Sequence, residues 1–402
     1  MTAALPRTSW LDATPEPKPG LVVQPLDGEA VIYDPEADAL HHLEPTAAAV
    51  WSRLNGELSV GSIAVDLATA YDMPEEAIRR DVARLTAVLH DRGLLAGSSG
   101  TPASTGRQAQ RVPDGEFDLG ERAMPSAGYL TRPFRGLEHT FEIATNDHTV
   151  RDYLDEILVD LSADGHGDLA HYELIALEDE QYVVRCDDAV VVATGRLDRA
   201  LSVLLWHINA EVVRRTTPLR PVVHAAAAVR DGMTVLLPAA PERGKTTTVA
   251  GLVHRAGFGY LTDEAVAIEP PTLIPRPYPK PLSIDRGSWE VLADLRPAHD
   301  GVVTGQWQVP ASAIRPDAVA RSAPIRFVVE PAYDQNAETR LEPMSSAAML
   351  VRLADSTFDF QQAPQRNLAV LARVLEQAEC YRLPISDLDD GLQLIKDLFA
   401  ES

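Results

Sequence analysis

At 402 residues the chain exceeds one ordinary hydrophobic core, so two or three domains are expected. Its 36 lysines and arginines against 59 aspartates and glutamates leave a formal charge of -23, a body that repels nucleic acid and anionic lipid. It has neither an apolar run of about eighteen residues nor a basic-then-apolar start, and its two cysteines, Cys186 and Cys380, lie far apart. The expectation is a reduced cytoplasmic protein with no membrane span and no secretory signal.

Three short strands are expected first, at Leu21–Val23, Ala30–Tyr33 and Ala39–Leu43, separated by turns at Asp27-Gly28 and Asp34-Pro35. Thr46 is expected to cap a helix that ends near Asn55-Gly56, and Ser59 a second carrying Ile63, Leu67 and Ala70. Pro74-Glu75-Glu76 opens a third, whose apolar stripe is Ile78, Val82, Leu85, Val88 and Leu89, and Arg92-Gly93 stops it. Three strands and three helices make a winged-helix-like domain over residues 1–97. Residues 97–114 hold almost no large apolar side chain, and the linker is expected over residues 98–125.

The second body begins with a strand at Thr140–Ile143, a helix capped by Asn146-Asp147, and a hairpin of Tyr172–Leu177 with Tyr182–Arg185. A long apolar helix follows from Leu197 to Val213, completing a subdomain over residues 126–220. Two strands, Val222–Val229 and Thr234–Leu237, then flank an Asp231-Gly232 turn and open the core over residues 221–402. A loop, a helix and a strand ending at Asp263 complete an α/β unit. The remainder reads as proline-rich loops with helices near Ser345–Ala354, Asn367–Ala378 and Asp387–Phe399.

The strongest chemical motif is the run Leu236–Thr247, in which a strand enters a loop ending Arg243-Gly244-Lys245-Thr246-Thr247 and a helix starts at the lysine. Amides at a helix start, together with the positive end of its dipole, cradle phosphate oxygens. In the Walker A pattern, the lysine neutralises the β/γ-phosphates of ATP and the next hydroxyl, here Thr246, ligates Mg2+. Ala239 stands where that pattern has glycine, Pro241 offers no N–H, and Glu242 brings a negative charge. His224 lies on the preceding strand, and Asp263-Glu264 closes the strand after the loop helix, where a carboxylate faces the ligand crevice of an α/β sheet. Taken singly, the histidine fits a core position and the acidic pair fits a turn.

The run His224…Gly244-Lys245-Thr246…Leu261-Thr262-Asp263-Glu264 resembles the C-terminal domain of the bacterial HPr kinase/phosphorylase and its shorter relatives. That resemblance implies His224, Lys245 and Asp263 as the catalytic group, with Asp263 the base for an acceptor hydroxyl. Arg243, Gly244, Lys245, Thr246 and Thr247 would contact ATP, with Thr246 and Glu264 on Mg2+. The family has a second aspartate where Glu264 stands. Lys280, in Pro277–Ser283, either reaches a phosphate or stands exposed on a rigid proline loop. Members of this family form oligomers, and the sequence leaves the state of this chain open.

The run Leu40–Trp51, with Leu54-Asn55-Gly56, Pro74-Glu75-Glu76 and Arg92–Leu95, resembles the PqqD family, which binds leader peptides of ribosomally made peptide natural products. The resemblance implies that a precursor leader adds as a strand beside Leu40, His41, His42 and Leu43 and packs on the third helix. Arg79, Arg80 and Arg84 fit either a grip on acidic leader residues or a solvated helix face. Trp51 is expected in the core.

Fold class is thus α/β, or α+β overall: a winged-helix-like module linked to a phosphate-loop core with an extra subdomain. Two functions follow from the resemblances. In the first, the module captures a precursor peptide and the core phosphorylates one of its serines or threonines with Mg·ATP. In the second, the loop has decayed and the chain is a scaffold that presents leader-bound precursor to another modifying enzyme.

Overall fold

The computed structural model describes residues 10–98, 125–164, 168–178, 180–187, 189–240, 243–299, 302–303 and 305–400. The expected linker, apart from its ends, and the loop residues Pro241 and Glu242 lie outside the described residues. The chain divides into two units, one of residues 1–109 with 345–351 and 361–372, and a second holding the rest.

In the first unit, β1 (Val22–Leu26), β2 (Glu29–Asp34) and β3 (Ala39–Leu43) form an antiparallel sheet in that order. The turns place Asp27, Gly28 and Asp38 at positive φ, which aspartate and glycine tolerate. Helices α1 (Pro45–Trp51), α2 (Val60–Tyr71) and α3 (Glu75–Asp91) cover one face. Ser59 caps α2 by accepting the Ser62 amide. The expected cap at Thr46 is corrected: Glu44 is the cap residue, because Pro45, whose φ is fixed in the helical range, occupies the first turn. Along α3 the buried stripe is Val82, Thr86 and Leu89, with Thr86 donating to the Val82 carbonyl, whereas Val88 is 39% exposed. Trp51 joins the core with Ile32, Leu43, Val50 and Leu67. Lys18 pairs with Asp34 at 2.9 Å, and backbone bonds between residues 16–18 and 94–96 join the segment before β1 to the segment after α3.

The second unit opens with β4 (Tyr129–Leu130), β5 (Phe134–Gly136), β6 (His139–Thr145), α4 (His148–Ile157), β7 (Leu169–Ala176), β8 (Tyr182–Cys186), β9 (Ala189–Thr194) and α5 (Leu197–Thr216). These strands form one mixed sheet. Strand β9 extends the expected hairpin. Then follow β10 (Val222–Arg230), β11 (Met233–Pro238), α6 (Lys245–His254), β12 (Gly259–Thr262), β13 (Ala265–Ile268) and β14 (Pro275–Arg276). The hairpin of β15 (Leu282–Asp285) and β16 (Gln306–Val309) precedes α7 (Ala311–Ile314), β17 (Ile325–Tyr333) and β18 (Glu342–Pro343). The chain continues through β19 (Glu379–Ile385) and α10 (Leu388–Ala400), after α8 (Ser346–Asp355) and α9 (Pro364–Leu375), most of whose residues belong to the first unit.

The main sheet runs β14-β13-β10-β11-β17-β19-β18, with β12 also on β10. Strands β11, β17 and β19 are parallel, so the loop after β11 leaves at the carboxyl ends of the parallel strands. Strands β17 and β19 fall where the sequence predicts no strand, yet both pair in this sheet. Both are apolar but carry an internal proline, Pro331 and Pro384, which masks the strand signal. Gly251 lets α6 settle on α10, since a Cβ there would stand 2.8 Å from Leu392 Cδ1. Among the described residues no helix is long and apolar enough to cross a membrane.

Candidate functional site around the loop of Lys245

Register brings the site together. Strands β12 and β13 both pair with β10, Thr262 opposite Ala227 and Ala265 opposite His224. Asp263 and Glu264 thus follow the end of β12, as expected from sequence, and occupy the two-residue break before β13. An interruption of this kind re-aims side chains out of the ladder. The Thr262 hydroxyl stabilises it by accepting the Glu264 amide at 3.2 Å. On the other edge of β10, Ala225 pairs with Pro238, the last residue before the loop. The fully buried run Ala225–Ala228 keeps that strand thin, so the loop, His224 and the acidic pair crowd one end of the sheet.

Helix α6 starts at Lys245, on a Gly244 whose φ of 94° suits glycine. Lys245 is buried, and its Nζ donates back across the loop to the Ala239 carbonyl at 3.1 Å. Burial lowers its pKa, and the charges of Glu264 and Asp263 oppose that shift. Arg243 is exposed, and its carbonyl accepts the Tyr333 amide from the end of β17. Thr246 is half-buried at the second position of the helix. Thr247 shares a hydroxyl hydrogen bond of 2.6 Å with Ser288.

Asp263 is 2% exposed and fully engaged. Its Oδ1 takes Lys280 Nζ at 2.8 Å and the Tyr260 hydroxyl at 2.9 Å, and its Oδ2 takes the Ser283 amide at 3.2 Å. Lys280 is therefore not exposed on its proline loop. It is buried, and it also donates to the Pro281 carbonyl and the Ser283 hydroxyl. Glu264 has more freedom. Its Oε1 stands 3.7 Å from His224 Nε2, and Asn209 of α5 reaches it with a side-chain hydrogen bond. Burial raises the Glu264 pKa, offset mainly by Lys280. Burial, reinforced by Lys245, pushes His224 down to about 4, so its imidazole is neutral at pH 7. Asn209, Tyr260 and Ser283 carried no motif signal, because their roles arise from packing of distant segments.

The oxygen chemistry fits Mg2+, which takes one or two carboxylates and completes its shell with water and phosphate. Glu264 and the Thr246 hydroxyl are the fitting donors. Among the described residues no group of three or more His, Cys, Asp or Glu forms a self-sufficient metal cage.

In the first unit, β3 pairs with β2 and, among the described residues, with no second strand. Leu40, His41 and His42 are half-buried on it, and Leu43 is buried. His42 pairs with Glu29 at 2.9 Å. Burial and then Arg92, the capping residue of α3, lower the His41 pKa, which brings the end of α3 near this strand. Arg79 pairs with Glu75 at 2.7 Å, Arg80 Nε donates to the Glu76 carbonyl and Arg84 pairs with Asp81 at 3.1 Å, so all three have partners within their own helix.

Residues 29–95 match the PqqD family, described as coenzyme PQQ synthesis protein D. The PqqD-like match covers the edge strand β3 and the whole of α3. Among solved structures, the chain is similar to TbiB1 in complex with the TbiA(beta) leader peptide, at 20% identity and a TM-score of 0.20, over 20% of this chain and 95% of that one. It is also similar to the Hpr(Ser) kinase/phosphatase from Coxiella burnetii, at 17% identity and a TM-score of 0.26, over 45% of this chain and 88% of that one. No curated protein matches the chain.

Proposed function

We infer that the chain is a cytoplasmic, ATP-dependent phosphotransferase that binds the leader of a ribosomally made precursor peptide and phosphorylates a serine or threonine in it. The observation that carries the reading is the convergence, at the carboxyl end of β11, of a helix start on Gly244, buried Lys245 and the Asp263-Glu264 interruption. Lys245 and the first amides of α6 would hold the β/γ-phosphates, with Thr246 and Glu264 on Mg2+. The bound cation supplies charge neutralisation on the transferring phosphoryl group. Asp263 would accept the proton of the acceptor hydroxyl, as the resemblance implies, with neutral His224 beside Glu264. Lys280, Tyr260 and Ser283 hold Asp263 in place for that role.

The PqqD-like match and the edge of β3, unpaired among the described residues, support leader capture by strand addition, in which main-chain hydrogen bonds give affinity and side-chain pockets give selection. Capture would raise the local concentration of a poor acceptor. The test is co-expression with a candidate precursor encoded beside this chain, read by intact mass. Addition of one phosphate, abolished by Lys245→Ala, is expected. Absence of both phosphopeptide and ADP formation with Mg·ATP and that precursor removes the reading.

One observation favours a second reading, a scaffold that presents the precursor to a partner modifying enzyme. Both Asp263 oxygens are occupied, as in a structural carboxylate. A scaffold binds leader peptide in calorimetry and gives no Mg·ATP heat.

A further inference from the structure

Of the acidic pair, Glu264 is the member that fits Mg2+, and the lysines near it are committed elsewhere. Lys245 Nζ donates to the Ala239 carbonyl, and Lys280 Nζ goes to Asp263, the Pro281 carbonyl and the Ser283 hydroxyl. His224 Nε2, at 3.7 Å, stands beyond hydrogen-bond distance of Glu264. The two lysines act on Glu264 through their charge, which falls off slowly with distance and sets no orientation. The directional contact comes from Asn209, whose side-chain amide reaches Glu264 with a hydrogen bond.

Packing carries that amide to the site. Asn209 lies on α5 between Ile208 and Val212, which share one core with Val222 of β10 and with Ala265 and Ala267 of β13. Ala265 directly follows Glu264 in the chain, so the face of α5 that settles on β13 delivers Asn209 to the acidic pair. For the fold itself the residue is a poor choice. Asparagine is a weak former of helix interiors, and its Oδ1 is buried without a hydrogen-bond partner among the described residues. Leucine, branched at the same carbon, would avoid both costs. What the asparagine supplies instead is its hold on Glu264.

We propose that Asn209 is a positioning residue for the divalent cation, its amide holding the Glu264 carboxylate in the orientation from which it ligates Mg2+. The assignment rests on the Mg-nucleotide reading of the loop, and it adds to that site a residue from the subdomain that precedes the core. Carboxylates that ligate a metal depend on hydrogen-bond partners of their own, and loss of such a partner costs about 10–100-fold in metal affinity.

Asn209→Leu tests it, with ADP binding to the full chain measured by calorimetry in Mg2+ and again in EDTA. In the parent, Mg2+ is expected to tighten ADP binding. In Asn209→Leu the affinity in Mg2+ is expected to fall about tenfold, while the affinity in EDTA is unchanged and Tm is equal or higher. Added to Glu264→Gln, Asn209→Leu is expected to cause no further loss, because the carboxylate that it positions is gone. An unaltered Mg2+ effect, an equal loss with and without Mg2+, or additive losses in the double variant overturns the proposal. Should leucine unfold the chain, Asn209→Ala, which adds no bulk, carries the same comparisons. A parent that binds ADP equally in Mg2+ and EDTA defeats the Mg-nucleotide reading and this assignment with it. A parent that gains from Mg2+, beside an Asn209→Leu chain that gains as much, defeats this assignment alone.

Discussion

Replacing Lys280 by methionine removes the buried counter-charge of Asp263 while filling a similar volume. Both residues are nearly inaccessible, at 8% and 2% exposure, so water cannot substitute for the ammonium group. Breaking such a pair from one side leaves an uncompensated charge and costs about 3–5 kcal/mol, against about 0–1 kcal/mol for an exposed pair. The Tyr260 hydroxyl and the Ser283 amide remain on Asp263, which favours the lower half of that range. Hydrogen exchange followed by mass spectrometry, on peptides covering β10 and β12, reads the loss locally, and calorimetry reads it as a fall in Tm. Lys280→Met combined with Asp263→Asn, which removes both charges, is expected to recover most of the loss, giving a coupling above about 1 kcal/mol in the double-mutant cycle. If Lys280→Met costs less than about 1 kcal/mol, or the cycle shows no coupling, the pair is not what holds Asp263 and the reasoning fails.

Gly244→Ala forces a Cβ onto a φ of 94° and is expected to cost about 1 kcal/mol while weakening ADP binding, both readable by thermal shift with and without ADP. Gly136→Ala would set a Cβ 2.5 Å from the ring of buried Tyr278 and 2.9 Å from Val212, so overpacking of about 1–3 kcal/mol is expected in urea denaturation. His139 is fully buried, and desolvation, helped by Arg215, depresses its pKa to about 4 from 6.5. The unfolded chain therefore binds this proton first: the contribution is fully present above pH 6.5 and is lost as pH falls toward 4, on the order of 3 kcal/mol. Urea midpoints between pH 7 and 4.5 should fall less steeply in His139→Leu than in the parent, and equal slopes would refute the assignment.

Local signals in the sequence carried much of this architecture. Ser59 and Asp147 cap helices because short polar side chains accept their first amides, and Asp231-Gly232 turns a hairpin because both residues accept positive φ. The glycine-lysine-threonine run at the end of an apolar strand marked the loop, since spacing along the chain is all that such a motif requires. The PqqD-like order of strands and helices was legible for the same reason: each element is specified within about fifteen residues.

Tertiary structure alone decided which charges meet. The pairing of β12 and β13 on one strand placed the acidic pair in the break between them, and Asp263 is buried against a lysine seventeen residues onward. Asn209 reaches Glu264 from a helix more than fifty residues earlier, and β17 and β19 enter the sheet despite their prolines. Contacts between distant segments depend on how whole elements pack, and neither periodicity nor motif spacing encodes that; the desolvation that lowers the pKa of Lys245 and His224 and raises that of Glu264 exists only once those elements close around them.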